Sequence, residues 1–361
     1  MFVRIVLTII LAFTVAPSIT LGQAENVILI TLDGLRPEEV FGGADERLML
    51  PDLGVKDKDA CIAEYGGETR EARRRKLLPF LWNRVETDKA WIAGDIQLDS
   101  ECLVTNGKYF SYPGYSELLC GFADDRIDSN AKKSNKNTTV LEFLNDQPEF
   151  IGSVNAFCSW DVFPYIINED RSGIVVNAGW MPLTVGDPNR LEVLNNAASS
   201  LFHEWEGVRY DVFTASGAME CMKADLPRVL YVSLGETDDW AHAGRYDRYL
   251  LTARQNDNLI KQIWLQAQSL KQYRDKTAFL ITTDHGRGDG REGWKNHGKH
   301  LPGSEHVWIA AFGTGVSRSG IDKGGAFKQS QIAATVARLI GYDFAATDEK
   351  VAKPLPIYEA N

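Results

Sequence analysis

Cysteine and histidine are scarce in this sequence of 361 residues, which contains five cysteines and six histidines. No two cysteines stand in a CxxC spacing, so a zinc site built from cysteine pairs is not expected. An oxidising compartment would permit disulfides, but the odd number leaves their pairing open. The cysteines are Cys61, Cys102, Cys120, Cys158 and Cys221.

Long apolar segments are missing after residue 24, and nothing there approaches the ~20 continuous apolar residues of a membrane span. The segment Met1 to Ala24 is typical of a secretory signal, because Arg4 precedes the apolar run Ile5 to Ala16 and small residues follow. We therefore expect a secreted or periplasmic protein whose mature chain starts near Glu25. A retained amino-terminal anchor is the alternative.

A basic surface patch is also lacking. The formal charge is −10, which gives no electrostatic support to a nucleic-acid partner. The basic run Arg73 to Lys76 is predicted to be the solvated start of a helix, within a polar and irregular excursion over residues 44–76. A second insertion, near residues 160–225, carries no readable motif. Without repeats or low-complexity linkers, residues 25–361 are predicted to form a single catalytic domain.

Short apolar runs rich in β-forming residues alternate with helical spacing along the chain. Three of them, Asn26 to Leu32, Arg228 to Leu234 and Thr277 to Thr283, are typical of buried strands of a parallel sheet. The pattern predicts an α/β fold with a central, mostly parallel sheet and helices on both faces. Further strands are predicted at Trp91–Ala93, Ser153–Phe157 and Glu305–Phe312, and helices at Leu77–Val85, Thr138–Leu144, Arg190–Glu206, Asp247–Leu270 and Gln329–Ile340.

Each of the three apolar runs is followed by an acid, namely Asp33, Asp238 or Asp284. His285 follows Asp284 directly, and His242 stands four residues after Asp238, which places both on one side of a helical turn. Carboxylates and imidazoles at the carboxyl ends of parallel strands suit a borderline cation such as zinc. Ordinary strand-end turns capped by Asp are the alternative for any single run. Three such ends together favour the metal site.

Ser111 stands among aromatic residues just before a Pro-Gly turn, and Tyr115 to Cys120 then has the pattern of a helix start. A hydroxyl at a turn that leads into a helix is well placed for nucleophilic attack, because helix N-termini stabilise developing anions. A helix cap is the alternative role for this serine.

These motifs, in this order, resemble the alkaline phosphatase superfamily, in particular its type I phosphodiesterase/nucleotide pyrophosphatase branch and related bacterial phosphatase-like proteins. The resemblance runs from ITLDG through SYPG, D-x-x-x-H, DHG and NHG to the EHVWIAAFG run, and it implies an alkaline-phosphatase-like fold with loop or cap insertions. It implies two divalent metal ions, most often Zn²⁺ in that family, and a catalytic Ser111. The implied ligands are Asp238, His242 and His297 for one ion, and Asp33, Asp284, His285 and Ser111 for the other.

Other positions are implied less directly. His300 and His306 are rivals of His297, which alone has the following glycine and the expected distance to a strand. Asn130 resembles an asparagine that holds a non-bridging phosphate oxygen, although the loop here is shorter. Lys108 and Arg126 flank Ser111 and would suit the extra charge of a phosphomonoester; surface charges are the alternative.

The resemblance implies hydrolysis of a small phosphate ester through a covalent phosphoserine at a two-metal site, since two cations stabilise both the attacking and the leaving oxygen. The choice between monoester and diester stays open, because the phosphodiesterase branch usually has Thr where this chain has Ser111. The C-x-P-x-R signature of sulfatases is absent. Hydrolysis of a phosphonate or sulfate ester, and a non-catalytic binding relative, are the alternatives.

Overall fold

The computed structural model describes residues 23–358, and an eight-stranded sheet forms its centre. The expected signal segment lies outside the described residues except for its last two positions. The strand order is β5-β4-β6-β1-β7-β8-β2-β9, and a separate pair joins β10 to β3. The strands are β1 (Asn26–Leu32), β2 (Trp91–Ala93), β3 (Glu101–Leu103), β4 (Val154–Cys158), β5 (Val175–Ala178), β6 (Val229–Leu234), β7 (Thr277–Thr282), β8 (Ile309–Gly313), β9 (Gly320–Ile321) and β10 (Ala326–Lys328).

The first five strands in this order run parallel, and β8 is antiparallel to both of its neighbours. Fourteen α-helices are described: α1 (Pro37–Gly42), α2 (Lys58–Tyr65), α3 (Arg70–Leu77), α4 (Pro79–Glu86), α5 (Ser111–Cys120), α6 (Val140–Asn145), α7 (Phe163–Ile166), α8 (Glu169–Ser172), α9 (Pro188–Ser200), α10 (Asp211–Ala224), α11 (Glu236–His242), α12 (Tyr246–Ser269), α13 (Gly290–Gly293) and α14 (Gln331–Leu339). The predicted α/β class with a mostly parallel sheet is confirmed.

The central strand β1 shows why helices cover both faces of the sheet. All seven of its residues are buried, and successive side chains of a strand point to opposite faces. Ile28 and Ile30 join one apolar core, which also contains side chains of α4 and α12. Val27 and Leu29 join the other core, with side chains of α5 and α14. Burying each such side chain contributes roughly 1.5–3 kcal/mol, so the sheet is held from both sides.

The prediction of an irregular excursion over residues 44–76 is wrong in its second half, where α2 and α3 form. Asp57 and Thr69 cap these helices, since their side chains accept hydrogen bonds from the amides of Ala60 and Ala72. The basic run Arg73 to Lys76 lies at the end of α3 rather than at the start of a helix. Positive charge near the C-terminus of a helix interacts favourably with the helix dipole. Arg74 within it is buried, with its guanidinium 3.6 Å from the centre of the Trp82 ring.

Two other predicted boundaries are also corrected. The helix predicted over Arg190–Glu206 is α9, which ends at Ser200; His203 lies beyond it and stacks on Trp180 with ring centres 3.5 Å apart. The strand predicted over Glu305–Phe312 is β8, which starts only at Ile309.

The structure shows the state of the cysteines and the length of the helices. All five cysteines are free thiols, and all but Cys61 are buried. Within residues 23–358, no helix combines the length and the apolarity needed to cross a membrane.

Candidate active site

Three neighbouring parallel strands, β6, β1 and β7, bring the predicted acids to one edge of the sheet. Leu32 pairs with Leu234 and Thr31 with Thr282, so the three strands end almost level. Asp33 follows β1 directly, while α11 and the segment from residue 283 leave β6 and β7 at the same edge. The side chains after these strands therefore converge, as expected for the carboxyl edge of an open α/β sheet.

Asp33, Asp284 and His285 form the first cluster. Each has a potential ligand atom within 4.8 Å of the others. His285 Nε2 lies 3.4 Å from Asp33 Oδ1 and 3.3 Å from Asp284 Oδ2. His285 Nδ1 donates to the carbonyl oxygen of Gly286 at 2.9 Å, so Nε2 carries the lone pair that a metal ion needs.

The chemistry of this cluster fits a bound cation. Asp33 Oδ1 and Asp284 Oδ2 are buried and accept no hydrogen bond among the described residues. Burial, and then the negative charge of Asp238, raise the pKa of Asp33 to about 7. Burial and the charge of Asp33 raise the pKa of Asp284 well above its usual range. Buried carboxylate oxygens without donors are costly, and a divalent cation would supply the missing partner of these two oxygens.

Asp238, His242 and His297 lie beside this cluster. Helix α11 carries Asp238 and His242 on one side, with His242 Nε2 3.2 Å from Asp238 Oδ2. His297 Nε2 lies 3.0 Å from His242 Nε2 and 3.7 Å from Asp238 Oδ1. His297 Nδ1 donates to the carbonyl oxygen of Tyr109 at 3.0 Å, which again leaves Nε2 free as a ligand.

His285 lies between the two expected ligand sets. Its ring stacks on His297 with centres 3.9 Å apart, and Asp238, His285 and His297 also lie within 4.8 Å of one another. Burial lowers the pKa of His285 to about 4 and that of His297 to about 3, so both imidazoles are neutral at pH 7. Neutral imidazole is the form that binds metal ions. The division of the ligands between two ions stays a prediction.

Ser111 is the first residue of α5 and faces the first cluster. Its Oγ lies 3.4 Å from His285 Nε2. The residue before the helix is Phe110, and no side chain caps this end, so Ser111 does not act as the predicted alternative cap. Gly114 lets the helix approach the cluster, because a Cβ there would lie 2.5 Å from the carbonyl oxygen of Asp284. The N-terminus of a ten-residue helix thus points its partial positive charge at the site.

The remaining predicted residues are Asn130, Lys108 and Arg126. Asn130 lies close, since its Oδ1 accepts a hydrogen bond of 3.0 Å from the amide of Tyr112, next to Ser111. Lys108 pairs with Asp125 at 3.1 Å, and Arg126 pairs with Asp124 at 2.6 Å.

The two rival histidines fall outside the clusters. His300 is exposed, and His306 lies 3.9 Å from Glu305 and lines a separate cavity of about 610 Å³ beside α1. Of the three histidines considered for one position, the structure therefore places His297 beside Asp238.

Further side chains that were not predicted contact the candidate ligands, among them those of Tyr115, Thr237 and Arg287. Tyr115, one helical turn after Ser111, donates to Asp33 Oδ2 at 2.9 Å. Thr237 donates to the carbonyl oxygen of Asp33 at 2.5 Å. Arg287 donates to Asp238 Oδ1. The i+4 spacing from Ser111 was a usable signal for Tyr115, and Arg287 stands inside the glycine-rich segment that follows His285.

Aromatic residues of the segment 160–225 flank the site. Trp205 packs edge-on against Trp240, which stands between Asp238 and His242 on α11, with ring centres 4.7 Å apart. Phe163, at the start of the same segment, is fully buried and packs against the ring of Tyr115. This segment therefore forms one wall beside the candidate site.

The fold of this chain is similar to that of several solved structures. No protein-family profile and no curated protein sequence matches the chain. Wild-type alkaline phosphatase PafA is similar in fold, with 10% identity, a TM-score of 0.58, and coverage of 94% of this chain and 100% of that one. An alkaline phosphatase superfamily protein from Vibrio parahaemolyticus has 14% identity and a TM-score of 0.53, over 95% and 72% of the two chains. A 2-O GAG sulfatase has 11% identity and a TM-score of 0.52, over 89% and 71%.

This chain has the fold of the alkaline phosphatase superfamily. The expected alkaline-phosphatase-like architecture is thereby confirmed. At these levels of identity the likeness concerns the fold.

Proposed function

We propose that the chain is an exported, metal-dependent phosphoric ester hydrolase that forms a covalent intermediate on Ser111. The observation that carries the proposal is the position of one buried hydroxyl. Ser111 Oγ lies 3.4 Å from His285 Nε2, and the same nitrogen lies within 3.4 Å of Asp33 and Asp284. Serine is a weak nucleophile unless a base or a cation activates it, and here it adjoins residues suited to hold a cation.

The two ligand sets are assigned as the sequence predicts. Zn²⁺ suits their mixture of carboxylate and imidazole. When bound, two such ions would lower the pKa of the Ser111 hydroxyl and stabilise the oxygen that leaves phosphorus. One ion would lie with Asp33, Asp284, His285 and Ser111, and the other with Asp238, His242 and His297.

The reaction would have two in-line steps. In the first, Ser111 Oγ gives up its proton and bonds to phosphorus, while the bond from phosphorus to the leaving oxygen breaks and that oxygen takes up a proton. In the second, a water oxygen loses a proton and bonds to phosphorus, while the bond from phosphorus to Ser111 Oγ breaks and Ser111 Oγ regains a proton. The N-terminus of α5 would stabilise the negative charge around phosphorus. Tyr115 would hold Asp33 in place, and Asn130 would lie beside the phosphoryl oxygens.

The substrate class is a small phosphate ester. Lys108 and Arg126 are each paired with an aspartate, so neither offers a free charge to the extra oxygen of a monoester without giving up its partner. The same catalytic residues would serve a sulfate or phosphonate ester. Export rests on the sequence of Met1 to Ala24.

The test is hydrolysis of a chromogenic phosphomonoester, the matching diester and a sulfate ester by zinc-loaded protein. Ser111→Ala is expected to lower kcat on the order of 10³-fold or more. Ser116→Ala is the matched control, because Ser116 is a buried serine of the same helix whose Oγ accepts from Asn135 at 3.1 Å. Cleavage of the sulfate ester alone would select the alternative substrate class, and no cleavage of any ester would reject the proposal.

A further inference from the structure

Arg287 is a fully buried cation beside the candidate metal ligands. Among the described residues, Arg36 and Arg209 are also large, fully buried arginines. Arg36 pairs with Glu39, and the guanidinium of Arg209 hydrogen-bonds to neutral oxygens such as Asn177 Oδ1 at 2.7 Å. The carboxylate partner of Arg287 is Asp238, a candidate metal ligand. A buried charge needs a partner, and here that partner belongs to the site.

The guanidinium of Arg287 joins two parts of the site. Nε donates to the carbonyl oxygen of Trp294 at 2.7 Å, and one terminal nitrogen donates to that of Lys295 at 2.6 Å. The other terminal nitrogen donates to Asp238 Oδ1. Since residues 294–295 lie just before His297, Arg287 fixes the position of Asp238 relative to the segment that carries His297. Both are expected ligands of the same ion.

The chain following β1 is shaped to admit this contact. A Cβ on Gly34 would lie 2.7 Å from the terminal nitrogen of Arg287 and 2.7 Å from Asp238 Oδ1. Gly34 also has a φ of +59°, which a side chain disfavours. Its amide donates to Asp284 Oδ1 at 3.1 Å. A glycine at this position therefore leaves space for the ion pair while it supports the other cluster.

We propose that Arg287 is a positioning residue that sets the affinity of the site formed by Asp238, His242 and His297 for its metal ion. The inference rests on the proposed function, because it assumes that these residues bind an ion. Arg287 holds one oxygen of Asp238, and the other oxygen, Oδ2, faces His242 at 3.2 Å and stays available as a ligand. Groups that orient metal ligands in this way typically change affinity by about 10- to 100-fold when they are lost.

The experiment is a titration of metal-free protein with Co²⁺, followed through the ligand-field absorption bands and the number of ions bound per chain. The parent is expected to bind two ions. A His242→Ala variant identifies the binding step that belongs to the site of His242. In Arg287→Gln that step is expected to weaken by about 10- to 100-fold, while the other step keeps the affinity of the parent. Arg287→Lys keeps the charge but cannot reach all three acceptors, and it is expected to give an intermediate loss at the same step.

Arg209→Lys is the matched control, because it changes an equally buried arginine whose terminal nitrogens donate to oxygens of Asn177, Met181 and Cys158 instead of the candidate ligands. Both of its binding steps should match those of the parent. Thermal unfolding of each metal-free variant checks the fold, and if Arg287→Gln does not unfold cooperatively, Arg287→Lys decides. Unchanged affinity at both steps, or equal weakening of both, would overturn the inference. A parent that binds no Co²⁺ would instead reject the proposed function and this inference with it.

Discussion

Replacing Tyr115 with phenylalanine removes one oxygen atom from the interior of the site. Tyr115 is fully buried, and its hydroxyl donates to Asp33 Oδ2 at 2.9 Å. The other oxygen of Asp33 accepts no hydrogen bond among residues 23–358. The phenylalanine ring would keep the packing against Phe163, whose ring centre lies 4.7 Å away. The change therefore leaves the core filled and leaves the Asp33 carboxylate without a donor.

The size of the effect follows from that single bond. A hydrogen bond to a charged group contributes about 1.5–3 kcal/mol. Without this hydrogen bond, the ionised form of Asp33 is less stable in the buried site. Burial already raises the pKa of Asp33 to about 7. Since the Tyr115 hydroxyl lowers that pKa, removing the hydroxyl would raise it further. Since a proton then competes better with a cation, we expect the affinity for one ion to fall by about 10- to 100-fold.

The assay is a competition titration of Zn²⁺ between the protein and a chromophoric chelator at neutral pH. Tyr112→Phe is the control, because Tyr112 lies in the same helix and its hydroxyl donates to the carbonyl oxygen of Lys133 instead of a candidate ligand. Tyr115→Phe should lose about 1.5–3 kcal/mol of stability and Tyr112→Phe about 1 kcal/mol, but only Tyr115→Phe should bind Zn²⁺ more weakly. Equal affinities in the two variants would refute the reasoning.

Three further predictions concern the fold and the bound ions. Gly114→Ala should destabilise the protein by about 1–3 kcal/mol, because the added Cβ would lie 2.5 Å from the carbonyl oxygen of Asp284. Gly42→Ala is the control: its Cβ would have nothing within 4 Å, so it should stabilise the protein by about 0.5–1 kcal/mol. Urea unfolding measures both changes. Burial raises the pKa of Asp257 from 3.8 to about 6, so its favourable contribution to stability is lost as the pH rises from about 4 through 6. Relative to Asp257→Asn, the parent should lose about 2–2.5 kcal/mol of stability between pH 4 and pH 8, and a difference independent of pH would contradict this. Removal of metal ions with a chelator should lower the unfolding midpoint, since an ion at 100 times its Kd contributes about 2.7 kcal/mol, and an unchanged midpoint would count against a metal site.

Much of the sheet could be predicted from the sequence because its strands are buried on both faces. The run Asn26–Leu32 coincides with β1, and Trp91–Ala93 with β2. The helices α2 and α3 escaped prediction because apolar spacing gave little signal: α3 is mostly charged, and in α2 only Tyr65 is buried. α9 ends before His203, where the contact with Trp180 takes over, and that contact depends on parts of the chain far from the helix.

The candidate site was predictable to the extent that strand ends determine it. Asp33 and Asp284 follow adjacent parallel strands, so the topology alone brings them together. Tyr115 and Arg287 depend instead on how α5 and the segment after β7 pack, which sequence patterns do not define. Gly34 depends on packing in the same way. A Cβ at this position would clash with Arg287 and Asp238, two side chains that lie far away in the chain.

The covalent phosphoserine is tested most directly by mass spectrometry of the peptide containing Ser111, after zinc-loaded protein is mixed with a phosphate ester and quenched in acid within the first turnovers. We expect a phosphoryl group on Ser111 in the parent, none in Ser111→Ala, and loss of hydrolysis in that variant. Steady hydrolysis by Ser111→Ala, or a phosphoryl group on another residue of the active parent, would contradict it.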